Sequence, residues 1–318
     1  MNIHAAKQFV TEYDSYLLVA HQSPDGDTLG SCLALQQAME SVGKTVAVAC
    51  ADAVPERLLF LHGAERVVDH VDANEYEAVV FVDCADHRRA GALLEACERI
   101  SHQFCIDHHM TNPKTSTDGD WVENRAACGE MMLALVEEMG VAVTQPMAEC
   151  LFTALATDSG NFAYSNTKPE TFRSAARLLE CGIDLPELNR RLFRSVPLRK
   201  SKLIAHVLST MELHSGDTVG IAAVSQADLM RCGATEEDCE GLVDHVRDIE
   251  TVEVACVLRE AADGSIRASL RAKRYFDVSA VALIFGGGGH RRAAGCTLHS
   301  SLEEAVSTMR NALLGAGN

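Results

Sequence analysis

HQSPDGDTLGS, residues 21–31, follows the apolar run Tyr16-Leu17-Leu18-Val19-Ala20 and precedes the helical spacing of Leu29, Cys32, Leu33, Gln36 and Met39. A strand therefore empties into a loop carrying one imidazole, His21, and two carboxylates, Asp25 and Asp27, before a helix begins. Gly26 permits a tight turn that holds the two acids side by side. Two adjacent hard anions with a histidine close by suit a divalent metal pair. Read alone, the stretch is more simply a polar turn with Asp27 as helix N-cap.

Other strand ends repeat the theme. The buried-strand pattern Ala78-Val79-Val80-Phe81-Val82 ends in Asp83, and the run His102 to Ile106 ends in Asp107-His108-His109. Strand-like runs at 15–20, 45–50, 77–82 and 103–106, with a helical run at 28–42, predict a parallel sheet covered on both faces. In such sheets ligands gather at the carboxyl ends of strands, which is where these residues fall. Helical runs follow at 129–139 and 146–156, the second ending in Asp158 with Gly160 for the exit turn. Ser165, Asn166 and Thr167 are polar candidates near a substrate, or the capping loop of a helix at 169–180.

A second alternation is expected beyond about residue 213: strand 218–224, helix 236–249, strands 252–258 and 265–272, helix 278–285. It leads into Gly286-Gly287-Gly288-Gly289-His290-Arg291-Arg292. Consecutive glycines expose backbone N–H groups at close approach, and the adjacent cations make an anion-binding nest. No G-K-[ST] follows, which excludes a Walker loop. The predicted architecture is α/β: a doubly wound sheet domain at 1–188, a basic linker at 189–213 and a smaller α/β domain at 214–318.

Composition narrows the function. The formal net charge of −17 opposes a long polyanion, yet Arg190, Arg191, Arg194, Arg199, Lys200 and Lys202 fall in one stretch without acids, and Arg267, Arg271, Lys273, Arg274, Arg291 and Arg292 cluster later. A small anion in a basic cleft fits this pattern better than extended nucleic acid. The twelve cysteines are scattered singly, without a C-x-x-C pair, and most read as small buried hydrophobes. That reading includes Cys84, beside Asp83. The absence of a long apolar run and of a signal-peptide pattern predicts a cytoplasmic protein with no membrane partner.

HQSPDGDTLGS, FVDCAD, IDHH, ATDSGNFAYSNT and GGGGHRRAAG, in this order, resemble the DHH phosphoesterase family, in the branch with the DHH-associated carboxyl-terminal domain. Within it the chain is most similar to the short bifunctional oligoribonuclease and 3′-phosphoadenosine-5′-phosphate phosphatase group. The resemblance implies two Mn²⁺ ions, with Mg²⁺ or Co²⁺ as substitutes. His21, Asp25 and Asp83 would hold one; Asp27, Asp83, His108 and Asp158 would hold the other. Asp107 would orient the histidines, and His109 would face the scissile phosphate. Arg271, Gly287, Gly288, Gly289 and His290 would grip a substrate phosphate from the second domain, across a cleft between the domains.

The implied reaction is hydrolysis of oligoribonucleotides of about two to five residues, dinucleotides such as pApA and pGpG included, with 3′-phosphate removal from 3′-phosphoadenosine-5′-phosphate. Two other readings are a phosphodiesterase for linear or cyclic dinucleotide messengers and a nucleotide-binding sensor with weak chemistry. Apolar helices such as 129–139 fit a homodimer surface or a core equally.

Overall fold

The computed structural model describes residues 1–315, which divide into two compact units, the first ending at Ser195 and the second beginning at Val196. The first unit contains α1 (Ile3–Glu12), β1 (Ser15–Val19), α2 (Gly26–Ser41), β2 (Thr45–Ala49), β3 (Ala78–Val82), α3 (Leu94–Glu98), β4 (His102–Asp107), β5 (Gly119–Val122), α4 (Cys128–Glu138), α5 (Gln145–Asp158), α6 (Pro169–Leu179) and α7 (Leu185–Asn189). Its sheet has the order β2-β1-β3-β4-β5 with every neighbouring pair parallel. The direction in which strands are added to the sheet reverses between β1 and β3, and in parallel sheets such a switch point is where ligands gather, at the strands' carboxyl ends.

Strand alternation sorts the core into two layers. Tyr16, Leu18, Val80, Phe104 and Ile106 pack among buried residues of α1, α2, α4 and α5, whereas Leu17, Val19, Val79, Phe81 and Cys105 pack with Ala90, Leu93 and Cys97 on the other face. α2 is buried on nearly every side because it lies against α5 at very short range. A Cβ at Gly30 would run into the Cys150 carbonyl, and one at Gly26 would meet the Thr157 side chain at 2.5 Å. Small residues therefore set the approach that brings the start of α2 to the end of α5. The helix that the sequence left open between core and dimer surface is core: Met131, Met132, Leu135 and Val136 of α4 are buried within the unit.

The second unit comprises α8 (Leu198–Thr210), β6 (Glu212–His214), β7 (Val219–Val224), α9 (Gln226–Cys232), α10 (Leu242–Arg247), β8 (Val254–Glu260), β9 (Ile266–Ala272), α11 (Val278–Ile284), β10 (Gly288–His290), β11 (Ala293–Leu298) and α12 (Leu302–Gly315). The sheet order is β10-β11-β9-β8-β7-β6, antiparallel except for β7 with β8. The helix expected over 236–249 is shorter: Gly241, at φ +78°, breaks it into a 3₁₀ turn and α10. The stretch expected as a basic linker is largely helical, and the division between units falls inside it. Four of its cations have acidic or carbonyl partners, two of them far along the chain. Arg190 and Arg191 sit on Glu187, Arg199 on Asp238 at 2.8 Å, and Lys200 on the Glu240 carbonyl.

Candidate metal centre

Strand ends and helix ends together deliver the acids. Asp25, not Asp27, is the N-cap of α2: its Oδ1 accepts from the amides of Asp27 and Thr28 at 2.9 and 3.0 Å. Oδ2 is left facing His21 Nε2 at 3.7 Å. Asp27, one residue into the helix, is fully buried and reaches across to α4, where its oxygens accept from the Cys128 and Gly129 amides at 2.7 and 2.9 Å. α4 has no capping side chain of its own, so Asp27 serves as its cap from a hundred residues upstream. Asp83 follows β3 in the left-handed region, at φ +58°, with its amide on the Ile106 carbonyl. A non-glycine residue held there indicates a backbone constrained by its surroundings. Asp158 ends α5, where the helix dipole disfavours a carboxylate.

The imidazoles are oriented from behind. His21 Nδ1 lies 2.8 Å from the Gln22 carbonyl and His108 Nδ1 lies 3.1 Å from the Arg125 carbonyl. A carbonyl only accepts, so each Nδ1 carries the proton and each Nε2 turns toward the acids. His21 Nε2 is 3.6 Å from Asp83 Oδ2. His108 Nε2 is 3.3 Å from Asp83 Oδ1 and 3.7 Å from both Asp27 Oδ2 and Asp158 Oδ2.

These contacts place lone pairs against lone pairs unless positive charge lies between them. Burial works against charge on His21, but Asp25 and Asp83 outweigh it and push the imidazole up to about 10. His108 is driven the same way, to about 10, by Asp83, Asp27 and Asp158 against its burial. Asp158 is pushed up to about 6, chiefly by burial and then by Asp83 against the pull of His108. Asp27 is raised well above the carboxylate range by burial, then by Asp83 and Asp158. Asp25 is held down at about 2; burial opposes this, and His21 with the two amides prevails. Asp83 Oδ1 and His108 Nε2 are buried without any hydrogen-bond partner. His21, Asp25 and Asp83 converge as one donor group, and Asp27, His108 and Asp158 as another. Carboxylates and imidazoles in this arrangement fit hard to borderline divalent cations.

Beside them, Asp107 is fully buried; its Oδ1 accepts from the His109 amide and Nδ1, the latter at 2.8 Å, and its Oδ2 from Asn112 Nδ2 at 2.7 Å. Burial opposes ionisation of Asp107, yet His109 and Asn112 keep its carboxyl below the usual range. Asn112 is the supporting residue that sequence reasoning missed; its only local signal is its place three residues after His109. Of the polar loop candidates, Asn166 ties the Ala126 and Asp158 carbonyls together, a structural task. Cys84 is wholly buried and its thiol is pushed well up by burial.

In the second unit His290, Ala293 and Arg271 stand opposite one another across β10, β11 and β9, and so share a face of the sheet. The glycines before His290 have distinct causes. Gly286 and Gly289 have φ of +70° and +138°, and a Cβ at Gly287 would collide with β11. Gly288 has open space around it and an ordinary backbone conformation.

Comparison with known proteins matches residues 15–155 to the DHH family, N-terminal domain, and residues 218–314 to the DHHA1 domain. The bifunctional oligoribonuclease and PAP phosphatase NrnA of Thermus thermophilus is 34% identical over 308 residues, 94% of this chain and 90% of the relative. This chain belongs to the DHH family. The DHH protein of the same description from Bacillus subtilis is 25% identical over 92% of this chain and 91% of its own length. Among solved structures, an exopolyphosphatase-related protein from Bacteroides fragilis superposes with a TM-score of 0.92 at 26% identity, over 98% of this chain and 95% of that one. The exonuclease RecJ bound to manganese, at 13% identity and a TM-score of 0.52 over 100% of this chain and 95% of its own, shares the fold. The signature triplet of this DHH protein is Asp107-His108-His109 at the end of β4.

Proposed function

We propose that this DHH protein is a Mn²⁺-dependent phosphoesterase that hydrolyses short oligoribonucleotides to mononucleotides and removes the 3′-phosphate from 3′-phosphoadenosine-5′-phosphate. The observation that carries the metal-dependent chemistry is the facing of the His21 and His108 Nε2 atoms with the buried Asp27 and Asp83 and the partly exposed Asp25 and Asp158, which calls for cations between them. The activities printed in the names of the Thermus and Bacillus relatives support the substrate class. His21, Asp25 and Asp83 would hold one ion, and Asp27, Asp83, His108 and Asp158 the other. When bound, such a pair acidifies a water and neutralises the phosphoryl oxygens.

The chain's own groups do the rest. Asp107, ionised and clamped by Asn112, holds the Nδ1 proton of His109 and so fixes its ring. The other nitrogen, Nε2, is then the group for protonating the leaving 3′-oxygen or stabilising the charge on the phosphorus centre. His290, Arg271 and the amides of Gly287, Gly288 and Gly289 would bind a substrate phosphate. The open space at Gly288 supports this, since packing does not require glycine there.

The deciding experiment compares hydrolysis of labelled RNAs from dinucleotides to long chains, with cyclic dinucleotides and 3′-phosphoadenosine-5′-phosphate alongside, with and without Mn²⁺. Asp83→Asn is the control, because asparagine tolerates the left-handed backbone. Fast Mn²⁺-dependent turnover of the shortest RNAs is expected, falling about 100- to 1000-fold in the variant. Equal activity on long RNA, or turnover unchanged in Asp83→Asn, would overturn the reading.

A further inference from the structure

One other group of metal-type side chains converges among the described residues; it shares no residue with the six proposed ligands and is joined to Asp107 through Asn112, whose Nδ2 lies 3.5 Å from Cys105 Sγ and 2.7 Å from Asp107 Oδ2. The ring of His87, the thiol of Cys105 and the carboxylate of Asp120 each place a donor atom within 4.8 Å of the other two. Sheet register explains the meeting. Phe81, Cys105 and Asp120 are consecutive partners across β3, β4 and β5, so their side chains form a row on one face. His87 stacks on the Phe81 ring at 3.9 Å and 13° and thereby stands over this row.

Cys105 and Asp120 are 0% and 6% exposed. A carboxylate buried in a sheet layer needs compensation. The hydrogen bonds that Asp120 receives from Ser116, from its hydroxyl at 2.9 Å and its amide at 3.4 Å, both fall on Oδ1. The same hydroxyl lies 3.0 Å from His87 Nε2. Nitrogen, sulfur and oxygen donors thus meet around one point, with Ser116 supplying a further oxygen at the edge. Reading the cysteines for paired thiolates passes over this arrangement, because it uses one thiolate only.

We propose that His87, Cys105 and Asp120 form a separate site for a soft or borderline divalent ion of the zinc class. Its donors differ from those of the strand-end pocket, where carboxylates and imidazoles favour ions of the manganese class. On binding, Cys105 releases its thiol proton to solvent and ligates as the thiolate; no redox change is involved. The fourth position is filled by the Ser116 hydroxyl or a water.

Sulfur gives the site a signature that the strand-end pocket lacks. Full-length protein saturated with Mn²⁺ is titrated with Co²⁺, and thiolate-to-cobalt charge transfer is followed in the near ultraviolet. The expected result is a band saturating at one equivalent, displaced by Zn²⁺ and absent in Cys105→Ser. In His87→Phe, which preserves the aromatic stack on Phe81, affinity falls about ten-fold or more. Circular dichroism confirms that each variant is folded. No band in folded wild type at several-fold excess of Co²⁺, an undiminished band in Cys105→Ser, or unchanged affinity in His87→Phe would each overturn the proposal. The readout does not depend on the phosphoesterase reading, so the two stand or fall separately.

Discussion

His21 and His108 show what the pocket does when no cation is supplied. With both imidazoles pushed to about 10, they hold protons at neutral pH and lend their charge to the surrounding carboxylates. In metal-free protein that stabilisation is complete below the ordinary histidine value of 6.5 and is lost as pH rises through about 10. A divalent ion must expel the same protons. Its apparent affinity should therefore climb with pH between neutrality and about 10, with proton release on binding. Calorimetric titration of Mn²⁺ in buffers of different ionisation heat measures that release; heats independent of buffer would contradict it. The acids themselves were legible because each sits where a strand or helix pattern stops, as Asp83 does after five apolar residues. Asn112 was not, since its reach to Asp107 depends on the path of the loop after β4.

Between elements, one buried acid organises the turn after β9. Glu253 is 6% exposed, and its Oε1 accepts from the amides of Arg274, Tyr275 and Phe276. Burial opposes ionisation of Glu253, but these three amides hold its carboxyl below the usual 4.5. A depressed folded value contributes stability above 4.5 that disappears as pH falls through it. Glu253→Ala should cost about 2 kcal/mol at neutral pH, and the gap from wild type should narrow on acidification in thermal melts. At the neighbouring glycine-rich strand β10, Gly288→Ala should leave the melting temperature unchanged while raising KM about ten-fold, because the open space there is what a phosphate would use. Steady-state kinetics beside a melt distinguishes this from a folding defect. The six-residue strand β11 escaped sequence reading because its first four residues, Ala293, Ala294, Gly295 and Cys296, carry none of the branched or aromatic side chains that announce a strand. The helix expected over 236–249 failed at Gly241, whose left-handed backbone no hydrophobic spacing reports.

At the scale of the molecule, the alternation of strands and helices made a parallel sheet legible, but the order β2-β1-β3-β4-β5 depends on which crossover goes which way. The two units have separate cores, and all six proposed metal ligands lie in the first. Mn²⁺ should therefore raise the unfolding temperature of one unit alone, through about 2.7 kcal/mol of stabilisation per bound ion at a hundred-fold excess over Kd. Scanning calorimetry with and without chelator would show one transition moving against a stationary second; two transitions shifting together would exclude it.

Asp27 leaves a trace beyond the chemistry. The same oxygen that faces His108 anchors the first amide of α4. A descendant of this chain that had lost its reaction would still need an acceptor there to keep that helix seated, so an aspartate at this place in a related sequence attests to architecture as much as to catalysis. Among the described residues the Asp158 carboxylate shows no such second employment, facing His108 in the pocket, and its disappearance from a relative would be the earlier sign of an enzyme gone silent.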